Sequence, residues 1–138
     1  GDIDPDETIQ IIEEHFSSWK SESPLRSEPK WEEKPLSGRE FVQVQYLGEE
    51  QVILAFRTAP KFHPDYHAIR LMDMIIDNSV AGLINLDLVE KQLVRSAGCY
   101  PQNYNDHGVH SFYGIPKEGQ SLEEVEKLIL AQINRVKV

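Results

Sequence analysis

The stretch of residues 51–78 constrains the fold more than any other part of the chain, because it places a strand directly before an amphipathic helix. Residues 51–58 form a short apolar run with β-branched and aromatic side chains, which predicts a strand buried on both faces. Pro64 then suits the first turn of a helix, since its missing N–H would have no partner there. The pattern predicts a helix that lies on a sheet.

The two sides of this predicted helix differ in polarity. Arg70, Asp73 and Asp77 fall on one side of a helical projection. The opposite side is apolar, and this arrangement predicts that it is the side facing the sheet. The apolar side consists of Ala68, Leu71, Met72, Ile75 and Ile76.

Two histidines in the same stretch, His63 and His67, have the ligand spacing of the zinc motif His-x-x-Glu-His. Histidines four residues apart on a helix can share a Zn²⁺ ion, and the glutamate between them serves as general base. Tyr66 stands in the place of that glutamate, and a phenol that is protonated near neutral pH cannot take a proton from metal-bound water. We therefore predict no catalytic residue, no bound cofactor and no metal site in this segment, with His63 and His67 as the remaining metal candidates.

The rest of the chain predicts an α+β fold. Asp4 is a helix cap before Pro5, and the first helix should continue to about Trp19. Apolar alternation over 41–47 predicts a half-buried strand that forms an antiparallel hairpin with 51–58. Further along, the patterns predict a helix over 82–93, strands over 97–104 and 109–115, and a closing helix that begins at the capping box of Ser121 and Glu124. The order α-β-β-α-α-β-β-α predicts one mainly antiparallel four-stranded sheet with helices packed on one face.

The length of the chain predicts a single domain over residues 1–138. Residues 20–39 are polar and proline-containing, which predicts an extended connector within that domain. The sequence begins with Gly1 directly before a helix cap, and we therefore expect an excised fragment of a larger multi-domain protein.

Charge and cysteine content exclude several classes of function. The net charge of −9 predicts no nucleic-acid partner and no anionic membrane partner, because no stripe of Lys and Arg is present to neutralise phosphates. Cys99 is the one cysteine, so a disulfide framework and an all-thiolate zinc site are excluded and a small buried thiol is predicted. Without a run of 18 apolar residues or a signal peptide, the sequence predicts a soluble domain.

The order of these motifs resembles the non-catalytic domain of insulinase/pitrilysin-like zinc metallopeptidases, which include the mitochondrial processing peptidase. The resemblance covers nearly the whole chain. It is carried by Gly1-Asp-Ile-Asp-Pro5 with Phe16, by 51–56 followed by Phe62-His-Pro-Asp-Tyr-x-Ala68, by Gly82-Leu83 with 88–93, by Gly108 before a strand and by Ser121 before the closing helix.

The resemblance implies that the chain is a structural, substrate-enclosing domain of a zinc-dependent endopeptidase that degrades peptides, and that it is inactive alone. The implied partners are a peptide substrate and a zinc-bearing catalytic domain of the same or a paired chain, and the zinc is expected in that catalytic domain. A bacterial origin and a periplasmic or cell-envelope location are expected. Some family domains offer an Arg and a Tyr to the substrate backbone, but Val89 and Arg95 stand near those places here, so that role is not transferred.

Two other functions stay open at this point. One is an assembly or interaction module of the same fold without a proteolytic role. The other is a metal-dependent enzyme that uses His63 and His67, although a catalytic zinc site usually takes three protein ligands and water.

Overall fold

A computed structural model describes residues 1–20 and 34–137, and its contacts divide the chain into two units, Gly1–Glu32 and Glu33–Val138. The first unit contains helix α1, Pro5–Phe16. The second contains, in order, strand β1 (Val52–Thr58), helix α2 (Tyr66–Ile76), a π-helical turn (Asn85–Val89), strands β2 (Ser96–Asn103) and β3 (Gly108–Ile115), and helix α3 (Leu122–Val136).

The start of α1 confirms the predicted cap. The Asp4 carboxylate accepts hydrogen bonds from the backbone N–H groups of Asp6 at 2.9 Å and Glu7 at 3.0 Å, which satisfies two donors that the first helical turn leaves without partners. The helix ends at Phe16 rather than near Trp19, and these two rings pack edge to face with their centroids 4.7 Å apart.

The predicted connector lies largely outside the described residues, which omit 21–33. Its last part, 34–39, contains no helix or strand and is fixed by two arginines. Arg57 donates to the carbonyl oxygen of Lys34 at 2.9 Å, and Arg39 donates twice to the Glu126 carboxylate on α3, at 2.6 and 3.0 Å. The hydrogen bonds from Arg39 also hold the pKa of Glu126 below its ordinary value.

Within residues 1–20 and 34–137 the sheet has three strands in the order β1-β3-β2, and both pairings are antiparallel. The prediction of a four-stranded sheet is therefore wrong, although the overall α+β class agrees with the structure. Strand β3 lies in the centre and places Phe112 opposite Leu54 on one side and opposite Cys99 on the other. The two strands that were predicted over 97–104 and 109–115 are confirmed within one residue at each end.

The missing strand is the one predicted over 41–47. These residues form neither a helix nor a strand, and their apolar side chains are exposed, with Val42 at 81% and Tyr46 at 85%. Alternation of apolar side chains produces a strand only where a partner ladder and a covered face stabilise it. Among the described residues, β1 pairs with β3 alone, so the predicted hairpin does not form.

Burial of β1 also differs from the prediction. Ile53 is 54% exposed, so the strand is not buried on both faces. Side chains alternate along a strand, and Leu54 points to the helix-covered face while its neighbours point away. The core lies between the sheet and the helices, and its buried apolar members are Leu54, Ile76, Ile84, Leu88, Val94, Phe112, Val125 and Ile129.

Helix α2 begins at Tyr66, so Pro64 lies in the preceding turn and not in the helix as predicted. The buried side of the helix is also rotated from the predicted one. Asp73 and Ile76 are its buried residues, whereas Leu71 is 60% exposed. A polar side chain from the predicted outer side therefore faces the sheet.

The helix predicted over 82–93 is centred on a π-helical turn. Two backbone hydrogen bonds here join residues five apart, which is the π-helical spacing. The N–H of Glu90 donates to the carbonyl oxygen of Asn85, and the N–H of Leu93 donates to the carbonyl oxygen of Leu88, each at 2.8 Å. Ile84 and Leu88 are buried in this segment, whereas Leu86 and Leu93 are each 40% exposed.

Helix α3 agrees with the sequence. Ser121 and Glu124 form the predicted capping box, with each side chain bonded to the backbone N–H of the other residue. Val125 and Ile129 then bury one side of the helix against the sheet. Within the described residues, no helix combines the length and the apolar character that a membrane crossing requires.

Candidate functional site

Three polar side chains meet in the interior between helix α2 and the sheet, and we call Asp73, Cys99 and His110 the buried triad. Asp73 extends inward from α2, Cys99 lies on the edge strand β2, and His110 lies on the central strand β3. His110 is 1% exposed and Asp73 is 8% exposed, while Cys99 is half-buried. One ligand atom from each residue lies within 4.8 Å of those from the other two.

The register of the sheet explains why the two strand residues share a face. Cys99 is opposite Phe112, and Pro101, two residues further along β2, is opposite His110. Residues two apart on a strand point to the same face, so Cys99 and His110 both point toward the helices. The ring of His110 lies against that of Phe112, with centroids 4.5 Å apart.

Both neighbours of Asp73 bond to the same carboxylate oxygen. The distance from His110 Nε2 to Asp73 Oδ1 is 3.0 Å, and the distance from Cys99 Sγ to Asp73 Oδ1 is 3.4 Å. A carboxylate only accepts hydrogen bonds, so His110 donates from Nε2 and Cys99 donates from its thiol. His110 Nδ1 then carries a lone pair, and it is buried without a hydrogen-bond partner among the described residues.

Two further charged groups border the triad. Arg70 lies one helical turn before Asp73, and its Nη1 approaches Asp73 Oδ2 to 3.9 Å from a position that is 47% exposed. At the other end of α2, the Asp77 carboxylate accepts from the backbone N–H of Cys99 at 2.9 Å. That bond satisfies a donor at the outer edge of β2 and ties the end of α2 to the strand.

Burial determines how the triad titrates. It raises the pKa of the Cys99 thiol far above the ordinary value, and the nearby Asp73 carboxylate raises it further, so the thiol stays protonated and is a poor nucleophile. Burial lowers the pKa of His110, and the attraction of Asp73 opposes only part of that shift. In the folded protein the imidazole is therefore neutral near pH 7.

The neutral imidazole predicts a pH dependence of stability. The pKa of His110 is lower in the folded chain than its ordinary value of 6.5, so unfolding takes up a proton below that value. The contribution of the neutral His110 ring to the free energy of unfolding is fully present above the pKa of the unfolded chain. It is lost as the pH falls below that pKa, at up to about 1.4 kcal/mol per pH unit. We expect urea denaturation of His110→Gln between about pH 7 and pH 5.5 to show a shallower fall in unfolding free energy than the wild type.

The matched control is His67→Gln, which removes an exposed histidine and should leave the wild-type slope unchanged. An NMR titration of the His110 ring in the wild type supplies a measurement that needs no variant, with its midpoint expected below 6.5. A midpoint at or above that value would contradict the interpretation.

The structure places the two histidines suggested by the sequence in different elements. His63 lies in the turn before α2, where its Nδ1 accepts from the N–H of Asp65 at 3.2 Å, and His67 lies in the first turn of the helix. They therefore do not project from one helix face as the zinc motif requires. The ring of Tyr66, which stands in the place of the catalytic glutamate, packs edge-on against that of His67.

The residues near the place of the substrate-binding Arg and Tyr serve other contacts. Val89 is partly buried and packs against the core, while Arg95 donates to the Glu49 carboxylate at 2.6 Å.

A separate ion-pair group joins the π-helical turn to α3. There the Asp87 carboxylate accepts hydrogen bonds from Lys91 and from Arg135. These hydrogen bonds hold the pKa of Asp87 below its ordinary value.

Comparison with known proteins identifies the family. The sequence model of the family described as the peptidase M16 inactive domain matches residues 1–138, which is the full length of the chain. No curated protein matches the sequence. The family match agrees with the ordered resemblance seen in the sequence, from the capped first helix to the capping box before α3. The chain therefore belongs to the family of peptidase M16 inactive domains, the non-catalytic domains of insulinase-like metallopeptidases.

Proposed function

We propose that this chain is a non-catalytic domain that helps to enclose a peptide substrate beside a zinc-bearing catalytic domain, in the same or a paired chain. The observation that carries the proposal is the family match over residues 1–138. In this function the chain supplies no residue to the catalytic zinc, which is held by the catalytic domain of an endopeptidase. A bacterial origin with a periplasmic or cell-envelope location belongs to the same proposal.

The stretch that begins with β1 and continues through α2 supports this assignment. A catalytic domain of this family would hold its zinc helix there, and this chain has a tyrosine in the place of the glutamate and a histidine outside the helix. Water activation needs a group that accepts a proton near neutral pH, and neither Tyr66 nor the protonated thiol of Cys99 provides one. Neither side chain therefore takes the place of the general base of a zinc peptidase.

An activity measurement tests the proposal. We expect the 138-residue chain to hydrolyse a fluorogenic unfolded peptide no faster than buffer, with or without added Zn²⁺. The matched control is His63→Ala, which should be indistinguishable from the wild type. Zinc-dependent turnover that His63→Ala abolishes would overturn the proposal and favour the metal-dependent enzyme.

The parent reading frame separates enclosure of peptides from an assembly role. A His-x-x-Glu-His sequence in a catalytic domain of the same chain, or in a neighbouring gene, supports a peptidase. Its absence from both would favour the alternative of an assembly or interaction module with no proteolytic role.

A further inference from the structure

We propose that the buried triad binds a divalent metal ion, and that Zn²⁺ is the metal it fits. The three ligand atoms come from α2, β2 and β3, so one ion would join the helix to two strands of the sheet. The site differs from the zinc centre of the peptidase family in its residues and its position, and it serves the packing of this domain. It is independent of the proposed enclosure of peptides.

The distances within the triad are close to those that tetrahedral zinc imposes. Zinc bonds of about 2.0 Å to oxygen and nitrogen and about 2.3 Å to sulfur place the oxygen and nitrogen about 3.3 Å apart and the oxygen and sulfur about 3.5 Å apart. The observed separations from Asp73 Oδ1 are 3.0 Å to His110 Nε2 and 3.4 Å to Cys99 Sγ. For these two pairs an ion requires movements of a few tenths of an ångström, and the ligand atoms of Cys99 and His110 lie within 4.8 Å of each other.

The chemistry of the donors selects the class of metal. A thiolate, an imidazole and a carboxylate form a mixed set that suits Zn²⁺ and disfavours Mg²⁺ and Ca²⁺, which prefer oxygen ligands alone. The Cys99 thiolate and the Asp73 carboxylate would balance both charges of the ion. The bound group would be neutral overall, which reduces the cost of its burial beside the ring of Phe112. Three protein ligands leave the fourth position for water.

Metal binding must displace the hydrogen bonds that now hold the triad together. The thiol proton leaves to solvent, and the imidazole proton moves from Nε2 to Nδ1 as Nε2 takes the metal. Nδ1 has no partner among the described residues, so the ring lacks the second hydrogen bond that strengthens most histidine ligands. Because one proton is released for each ion, we expect the affinity to rise with pH.

Cobalt substitution provides the test, because Co²⁺ takes zinc sites and a thiolate ligand gives it a near-ultraviolet charge-transfer band. Cys99 is the one cysteine of the chain, so that band reports on the triad alone. We expect one Co²⁺ per chain with the band present, and displacement of Co²⁺ by Zn²⁺. Cys99→Ser should abolish the band, and His110→Gln or Asp73→Asn should weaken binding at least about ten-fold.

The matched control is the double variant His63→Ala and His67→Ala, which removes the other pair of candidate ligands. It should retain both the band and the affinity. If it instead abolishes binding, the metal lies at the exposed histidines and the proposal is wrong.

A second measurement uses only the wild type and therefore does not depend on the folding of any variant. Zn²⁺ should slow the alkylation of Cys99 by N-ethylmaleimide at least about ten-fold, because a metal-bound sulfur is not free to react. An unchanged alkylation rate in excess Zn²⁺, or a missing band in excess Co²⁺, would overturn the proposal. In that case the expectation from the sequence, that this segment holds no metal, would stand.

Discussion

Phe112→Ala should lower the free energy of unfolding by about 3–5 kcal/mol, the range for removing a large buried aromatic side chain. Phe112 is 2% exposed and lies at the centre of the middle strand, where its ring packs edge-on against Phe56 and against the tilted ring of His110. Loss of the ring leaves a cavity between the sheet and the helices, and close-packed neighbours fill it only in part. Urea denaturation with circular dichroism measures the loss.

The matched control is Phe62→Ala, which removes the same ring from a position that is 80% exposed. Its effect should stay within about 0.5 kcal/mol, as for most surface substitutions. Equal losses for the two variants would contradict the placement of the core.

Gly114→Ala should destabilise the chain by about 1–3 kcal/mol, through overpacking and not through a cavity. A Cβ atom at this position would overlap Val125 Cγ1 and lie 2.9 Å from Ile129 Cδ1, closer than real carbon atoms approach. Both contacts come from α3, so the missing side chain of Gly114 is what lets this helix lie directly on β3. Thermal and urea denaturation would detect the change.

A second substitution tests that cause. Val125→Ala removes the overlapping methyl group, so the double variant Gly114→Ala with Val125→Ala should be more stable than the sum of the two single losses predicts. Ala55→Val adds bulk to an exposed position on β1 and should be nearly neutral. Strict additivity in the double variant would rule out the overlap as the source of the loss.

The sequence predicted the elements whose local signals agree with their surroundings. Asp4 and Ser121 mark the helix starts because a cap acts through backbone groups two or three residues away. The apolar alternation in 41–47 is regular, yet those residues remain outside the sheet. A strand depends on a distant partner, and local alternation does not show whether that partner is present.

The buried triad could not be predicted from periodicity. Asp73 falls on the polar side of α2 by spacing, and only the helix packing brings it to face His110 and Cys99, which lie 37 and 26 residues further along the chain. The local signals were Cys99 and His110, one inside each of two predicted strands. The zinc-like spacing of His63 and His67, by contrast, is a local match whose helical context the structure does not provide.

The position of β3 has a consequence for how the chain reaches its native state. The strand at the centre of the sheet is the last of the three in sequence, and a four-residue turn joins it to its neighbour β2. A local hairpin of this kind closes within about 1–10 μs. The pairing of β1 with β3, which places Val52 opposite Gly114, must instead close a long loop that contains all the elements between these strands. Docking of β1 onto a preformed hairpin should therefore limit the folding rate, as non-local contacts generally do.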